Sequence, residues 1–226
     1  MDMSNTLIGL DRKSHQKMSS PLSPKNSELD FIQQCRRNDK ACELGIHTLN
    51  DIEIVRIYQA AHGDAVKALI EVHDLLTWRR DIKYDEVLNN SYPAYCNSIL
   101  YHYGFTATGS PVLFYKAKNH LPLTDDVDVL VKQSISLMGN IQRKHNYPKV
   151  ILCFDRDGAT KDNVNLTLAK QVIALFTKYF PETLQELLVY QSNFLIWSMW
   201  SILKPFMDPD TVKKVDNIYI GCYSRR

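Results

Sequence analysis

The 226-residue sequence is poor in cysteine, and its five cysteines follow no recognisable pairing pattern. They are odd in number and scattered, and no two of them form a CxxC arrangement: Cys35, Cys42, Cys96, Cys153 and Cys222. A small secreted scaffold would show an even, closely spaced set that supports a disulfide framework. The pattern therefore favours a reducing compartment, and Cys153, which lies in an apolar run, is predicted to be a small core residue.

Glycine is also scarce, with eight residues in the chain, and the glycine-rich motifs of phosphate-binding and catalytic proteins are missing. The sequence lacks a phosphate-binding loop, an HExxH metal motif and a GxSxG nucleophile motif. The seven histidines between His15 and His145 have no metal-ligand spacing. Because no set of nucleophile and base is visible, we expect neither an enzyme nor a resident metal or cofactor.

An excess of charge of one sign and a long apolar run are absent as well. The formal net charge of +2 gives no basic footprint for nucleic acid. The longest apolar stretch, residues 194–203, is far shorter than the ~20 residues that a membrane-spanning helix needs. The first nine residues lack the basic and then apolar pattern of a secretory signal. We therefore expect a cytoplasmic protein that binds no nucleic acid.

Three regions of different composition divide the chain. Residues 1–27 are rich in Ser, Lys, Pro and Asn and are predicted to be a disordered tail. Residues 28–90 have the pattern of a helical N-terminal subdomain. Residues 91–226 contain a hairpin, with strands over 99–103 and 112–115, and then alternate between strand and helix patterns. This order predicts an α/β domain with a mixed or parallel sheet and flanking helices.

Local signals predict where several of these elements begin and end. Asp64 is a predicted N-cap of a helix that reaches Arg80, and one face of this helix would carry Val66, Leu69, Ile70, His73 and Leu76. The acidic pair Asp125-Asp126 is predicted to cap a helix over 127–143. Residues 155–158 resemble half a calcium loop, but the later ligands are missing, so a turn after a strand over 149–154 is predicted.

The second half carries two more helix patterns and two more strand patterns. An apolar stripe predicts a helix that Pro181 ends, and it consists of Leu168, Val172, Leu175, Phe176 and Tyr179. Strands are predicted over 187–190 and 218–220, with a short helix over 210–214.

The helix pattern over 194–206 is unusual because it is apolar almost all round. Ser198, Ser201 and Lys204 form one narrow polar line, and Trp197 and Trp200 stand among the apolar positions. Such a helix is ordinarily a core helix on the outer layer of a sheet. The functional alternative is a helix that contacts lipid on one side and a membrane on the other, because tryptophan rings suit a membrane interface.

In order and spacing, these motifs resemble the CRAL-TRIO family of lipid-exchange proteins. The matching segments are Tyr179-Phe180-Pro181-Glu182, the apolar strand over 187–190, Leu203-Lys204-Pro205-Phe206-Met207-Asp208-Pro209 and Thr211-Val212-Lys213-Lys214-Val215. Gly63-Asp64, the hairpin motif Gly109-Ser110-Pro111-Val112 and the strand that ends at Asp155 extend the resemblance over about residues 51–221. Some spacing is also similar to the CRAL-TRIO domain of motile-sperm-domain-containing proteins.

The resemblance implies a binding site for a phosphoinositide. In phosphatidylinositol-binding members, residues at the positions of Glu182, Thr211 and Lys214 hold the inositol phosphate. A carboxylate can accept hydrogen bonds from ring hydroxyls, and a lysine can pair with phosphate. The helix over 194–206 would be a movable lid, with lipid or membrane contacts from Phe194, Ile196, Trp197, Trp200 and Leu203.

The sequence departs from the family pattern at several positions. The basic segment that precedes the Gly63 position in the family is Gln59-Ala60-Ala61-His62 here. The hydroxyl side chains that phosphatidylcholine-binding members use are replaced by Leu113, Val150 and Leu152. The chain also ends at Arg226, shortly after the last predicted strand, where the family adds a further strand and helix.

The resulting hypothesis is a peripheral membrane protein that binds and exchanges a membrane lipid, most consistent with a phosphoinositide, through transient contact with the membrane surface. Two alternatives remain open. The fold could serve as a protein-interaction or membrane-tethering module without lipid exchange. The cavity could instead carry another hydrophobic ligand, such as a retinoid or a tocopherol.

Overall fold

The computed structural model describes residues 24–190, 200–207 and 209–215. Helices occupy the first part of this range: α1 (Asn26–Arg37), α2 (Asp39–Glu43), α3 (Asp51–Ala60), α4 (Ala65–Asp81), α5 (Tyr84–Asn89) and α6 (Ala94–Ile99). Helix α1 begins inside the last two residues of the predicted tail, and Glu28 accepts a hydrogen bond from the backbone N–H of Lys25 at 2.7 Å. The predicted division of the chain after residues 27 and 90 stays a prediction.

The core of the helical part is built on apolar residues of α1, α3 and α4, which range from alanine to phenylalanine. Phe31, Ile54, Ala68 and Val72 are among its most deeply buried members. Ala68 keeps the neighbouring helices close because its side chain is a single methyl group.

The predicted buried face of α4 is confirmed for Leu69 and Leu76, which pack in the core, and is wrong for Val66 and Ile70. Val66 and Ile70 are 72% and 58% exposed, and the buried face consists of Ala68, Val72, Leu75, Leu76 and Arg79. The buried face is therefore centred on Ala68 and Val72, and Val66 and Ile70 lie at its solvent-exposed side. His73, expected in the core, is half-buried and makes a hydrogen bond of 3.0 Å to Asn38 Oδ1.

The predicted helix caps are confirmed for α4 and for the long helix that follows the hairpin. Asp64 Oδ1 accepts hydrogen bonds from the backbone N–H groups of Val66 and Lys67, both at 3.0 Å. Asp126 caps α7 (Val127–Lys144) in the same way. Asp125 does not cap this helix, because its carboxylate binds His120 Nδ1 at 2.8 Å instead.

The second part of the chain is a four-stranded mixed sheet with flanking helices, as predicted. Strands β1 (Leu100–Phe105) and β2 (Pro111–Lys116) form the antiparallel hairpin, and β3 (Val150–Asp155) and β4 (Leu184–Tyr190) continue the sheet in parallel with β2. The strand order is β1-β2-β3-β4. Helix α7 connects β2 to β3, and helix α8 (Leu166–Tyr179) connects β3 to β4.

The strand boundaries differ from the predicted ones where helix and strand patterns meet. Ile99 ends α6, so β1 begins one residue later than predicted, and β4 begins at Leu184 rather than Leu187. The turn after β3 is confirmed, with Asp155 Oδ1 accepting a hydrogen bond from the backbone N–H of Asp157 at 2.9 Å. The predicted strand over 218–220 lies outside the described residues.

Two further features of the described chain bear on its environment. Cys153 is 6% exposed and belongs to the core, as predicted, and burial raises the pKa of its thiol to about 12.

Within residues 24–190, 200–207 and 209–215, no helix combines the length and the apolar composition that crossing a bilayer requires.

Helix α9 (Pro209–Val215) packs against β4. An aromatic stack and a buried arginine are among the contacts that join the helical part to the rest of the chain. The Trp78 ring stacks on the Tyr179 ring with a centroid distance of 4.0 Å. Arg56 on α3 is 4% exposed and donates hydrogen bonds to three distant acceptors: Gln142 Oε1 (2.9 Å), the Tyr147 carbonyl oxygen (2.6 Å) and Thr183 Oγ1 (3.3 Å). Burial lowers the pKa of its guanidinium, and the nearby carboxylates of Glu53 and Glu182 oppose that effect.

Replacing Arg56 by methionine should reduce the free energy of unfolding by about 3 kcal/mol, because buried acceptors then lose a charged donor. Urea denaturation of both proteins measures this difference. Lys67→Met is the control, since the Lys67 ammonium is exposed and lies 3.8 Å from Glu71, and its loss should cost less than about 1 kcal/mol. Equal losses for the two variants would contradict the role assigned to Arg56.

Candidate functional site

A cavity of about 920 Å³ is lined by one face of the sheet, helices α7 and α8 and the segment over 200–207. Alternate side chains of a strand point to the same face of a sheet. Every second residue from Val150 onwards therefore reaches the cavity: Val150, Leu152, Phe154 and, just past the strand, Arg156. The volume lies at the upper end of the roughly 300–1,000 Å³ typical of small-molecule sites.

The wall of the cavity is mainly apolar. Leu113 and Tyr115 line it from β2, and Leu187 and Val189 line it from β4. On the opposite side, α7 contributes Leu130 and Met138, among others. Burial raises the pKa of the Tyr115 hydroxyl, in keeping with the apolar surroundings.

Helix α8 explains why the interior is not filled. Some residues of its predicted apolar stripe face the cavity, and another packs against the helical part. Leu168, Val172 and Phe176 line the cavity, whereas Tyr179 packs against Trp78 at the contact with the helical part. Val172 and Phe176 are accordingly half-buried although they face inwards. An apolar stripe of this kind normally fills a core, and here part of it surrounds open space.

The predicted lid is only partly within the described residues. Trp200 and Leu203 line the cavity, and Leu203 is 9% exposed. Phe194, Ile196 and Trp197 lie outside the described residues. The lid function of this segment therefore stays a prediction.

Glu182 and Lys214 lie together at one end of the cavity. Lys214 Nζ is 3.1 Å from Glu182 Oε2, and Lys149 Nζ approaches the same oxygen at 3.4 Å. The side chains of Glu182, Lys214 and Lys149 are 24%, 20% and 40% exposed, which places them between solvent and interior. We call these three residues, with the adjoining rim, the mouth of the cavity.

The backbone around Glu182 holds its side chain at the mouth. Glu182 has a φ of 53°, in the left-handed region that is uncommon for residues other than glycine. The next residue, Thr183, is buried and accepts the hydrogen bond from Arg56. Such strain persists where the surroundings over-determine the conformation, and it is frequent at functional sites.

Other positions that the family resemblance indicated lie on α9 and on the cavity wall. Thr211 lies in the same short helix as Lys214, one turn earlier. Gln59 and His62, at positions where the family has basic residues, line the cavity, and Gln59 Nε2 donates a hydrogen bond to Glu28 Oε1 at 2.8 Å. The lysines of the mouth therefore come from the residue before β3 and from α9, and the Gln59 position holds no cation.

Sequence reasoning missed two cations, Lys149 and Arg156. Lys149 immediately precedes β3 and reaches Glu182 because β3 and β4 are neighbouring parallel strands. Arg156 was assigned to a turn, and its side chain nevertheless lines the far end of the cavity. The alternation of residues 150, 152 and 154 along β3 was the signal that could have found it.

A family model described as the CRAL/TRIO domain matches residues 87–219, which is more than half of the chain. The chain belongs to the CRAL/TRIO domain family. The resemblance seen in the sequence is thereby confirmed. Proteins of this family typically bind and transfer lipids rather than catalyse reactions.

The curated relatives are distant and longer than this CRAL/TRIO chain. A CRAL-TRIO domain-containing protein of Schizosaccharomyces pombe is 23% identical over 204 residues, which are 83% of this chain and 54% of the relative. The phosphatidylinositol transfer protein CSR1 of Eremothecium gossypii is 22% identical over 118 residues, which are 50% of this chain and 26% of that protein. The chain thus spans about half, or less, of the length of these relatives.

The fold also matches a solved structure. The crystal structure of Sfh5 superposes with a TM-score of 0.69 and 17% sequence identity, over 86% of this chain and 81% of that chain. At this level of identity the similarity supports the CRAL-TRIO fold alone.

Proposed function

We propose that this CRAL/TRIO domain binds a phosphoinositide, with the acyl chains in the cavity and the headgroup at the mouth. The observation that carries the proposal is the junction of a large apolar cavity with a carboxylate flanked by two ammonium groups. Glu182, Lys214 and Lys149 supply these groups. The family membership supports lipid binding in general, and the charges at the mouth favour this lipid class.

The apolar wall suits the acyl chains because each CH₂ group that leaves water contributes about 0.8 kcal/mol. Leu113, Val150 and Leu152 make the wall apolar at the positions where a choline-lipid site would need hydroxyl groups. A choline lipid therefore has no evident headgroup partner in the interior. Its headgroup would also bring a quaternary ammonium towards the lysines of the mouth.

The mouth suits an inositol phosphate because it offers both acceptors and cations. The Glu182 carboxylate can accept hydrogen bonds from ring hydroxyls, and Lys214 and Lys149 can pair with phosphate oxygens. We expect Thr211, which belongs to α9, to contribute a hydroxyl group to the headgroup site. Retinoids and tocopherols carry no phosphate for these lysines, so the mouth favours a phosphoinositide over them.

Changing Lys214 to Ala or Glu182 to Gln should weaken binding of phosphatidylinositol by about tenfold, because each removes a charged partner of the headgroup. Thr211→Ala should have a smaller effect in the same direction. The measurement is the uptake of fluorescent phosphatidylinositol from vesicles, with phosphatidylcholine as the comparison lipid.

Lys213→Ala is the matched control, because Lys213 is exposed and neighbours Lys214 in the same helix. Its uptake of phosphatidylinositol should stay within about twofold of the unchanged protein. Headgroup recognition at the mouth would be ruled out by equal losses for both lipids, or by equal effects of Lys213→Ala and Lys214→Ala.

The proposal includes transfer between membranes, in which the segment over 194–206 opens as a lid and contacts the bilayer transiently. The protein would then be cytoplasmic and associate with membranes peripherally. Trp200 is the described residue of this segment that best fits the role, since an indole ring combines an apolar body with one polar edge.

Replacing Trp200, or Trp197 and Trp200 together, by Ala should slow lipid exchange between vesicles while the midpoint of thermal unfolding stays nearly unchanged. Stopped-flow transfer of a fluorescent lipid measures the rate. Trp78→Phe serves as a comparison, because Trp78 belongs to α4 and packs on Tyr179 at the contact with the helical part. Unchanged exchange in the double variant would count against a lid and favour a tethering module that does not exchange lipid.

A further inference from the structure

The cavity has a second polar end, opposite the mouth. Strand β3 runs from Val150 at the mouth to Arg156 beyond its last residue, which is about 20 Å at a rise of roughly 3.3 Å per residue. Helix α8 runs back from this end towards the mouth, and its 14 residues span about 21 Å at a rise of about 1.5 Å each. Arg156 therefore lies about 20 Å from the mouth, near the first turn of α8.

Arg156 is a buried cation on the inner surface of the cavity. It is 5% exposed, and it continues the cavity-facing series of Val150, Leu152 and Phe154. This burial lowers the pKa of its guanidinium. A guanidinium has five N–H donors, so it can bind a carboxylate in addition to a partner within the protein.

The polar lining near Arg156 differs in charge from that at the mouth. Three carboxylates of described residues line the cavity: Glu71, Asp74 and Glu182. Glu182 is at the mouth, and Asp74 pairs at 3.1 Å with Lys178 in the last turn of α8. The described polar residues that line the opposite end are Arg156, Thr160, Asn163 and Asn165.

The uncharged members of this group are held by local hydrogen bonds. Asn163 donates to the carbonyl oxygens of Lys118 (3.2 Å) and His120 (2.9 Å), and Asn165 Oδ1 caps α8 at the N–H of Leu168 (2.9 Å). Arg156 is thus the charged group at this end of the lining. The first turn of α8 adds the positive end of a helix dipole, which also favours an anion.

We propose that the far end of the cavity is a subsite for the carboxylate of a long-chain fatty acid, with Arg156 as its cationic partner. The hydrocarbon chain would extend from Arg156 towards the mouth, along the apolar wall. A fatty acid bound in this way and a phosphoinositide would compete for the same apolar space and use opposite ends. The inference rests on the proposed lipid-binding cavity, and it does not require headgroup recognition at the mouth.

The test compares two probes of equal chain length, oleate and oleyl alcohol, for binding to the full chain at pH 7.4. The unchanged protein should bind oleate at least about tenfold more tightly, since the carboxylate gains a charge-assisted partner. Arg156→Gln should remove that preference, and Arg156→Lys should retain part of it. The preference should also fade below about pH 5, as the carboxylate is protonated, which needs no variant.

Parallel measurements with phosphatidylinositol separate this subsite from the mouth. Arg156→Gln should leave phosphatidylinositol uptake within about twofold, whereas Lys214→Ala should reduce it and leave the oleate preference intact. Equal affinity for oleate and oleyl alcohol in the unchanged protein would overturn the subsite. A preference that persists in Arg156→Gln, or that disappears in Lys214→Ala, would also overturn it.

Discussion

The hydrogen bonds of the buried Arg56 guanidinium are the constraint on which the site depends. They connect α3 to α7 through Gln142, to the loop before β3 through Tyr147, and to the start of β4 through Thr183. All three acceptors are more than 80 positions away in the sequence, so these bonds join parts of the chain that local structure cannot bring together. Removing a charge from water is costly unless its donors are satisfied, which makes the arrangement specific.

Arg56 also determines where the mouth lies. Thr183 follows Glu182 directly, and Glu182 has a left-handed backbone conformation that its surroundings must maintain. Arg56 holds Thr183 from the interior through a hydrogen bond. The preceding residue, Glu182, therefore lies at the mouth, where its carboxylate pairs with Lys214 and Lys149. The helical part of the chain thus stabilises the polar end of a cavity that the sheet and its helices enclose.

The cavity itself reflects a balance between packing and open volume. The sheet supplies one apolar face, and α8 divides its stripe between the cavity and the contact with the helical part. An empty apolar cavity of this size would be destabilising, because its lining forfeits contacts that a packed core would have. A bound lipid restores those contacts, so ligand binding and stability should be coupled.

The order of elements could be predicted from the sequence because period, caps and turns are local properties. Asp64, Asp126 and the turn at 155–158 each act within a few residues of the chain, and all three were predicted correctly. The exposure of Val66 and Ile70 on α4 could not be predicted, since the small residue Ala68 is buried while these two larger residues face solvent. Tertiary packing decided which side was buried.

The candidate site was predictable to a lesser degree. The proximity of Glu182 and Lys214 followed from a family resemblance, because 31 intervening residues carry no local signal of that contact. Lys149 was missed because its contact with Glu182 depends on the parallel pairing of β3 with β4. Arg156 was missed because the turn pattern around it concealed that it continues the inward-facing side of β3.

Native mass spectrometry of the purified chain, after incubation with vesicles that contain phosphatidylinositol, tests the central claim most directly. The account predicts a population whose mass exceeds that of the bare chain by one phospholipid, and phosphatidylinositol should be enriched in it over phosphatidylcholine. A chain that stays bare under these conditions, while its thermal unfolding is unaffected by the vesicles, would contradict the account.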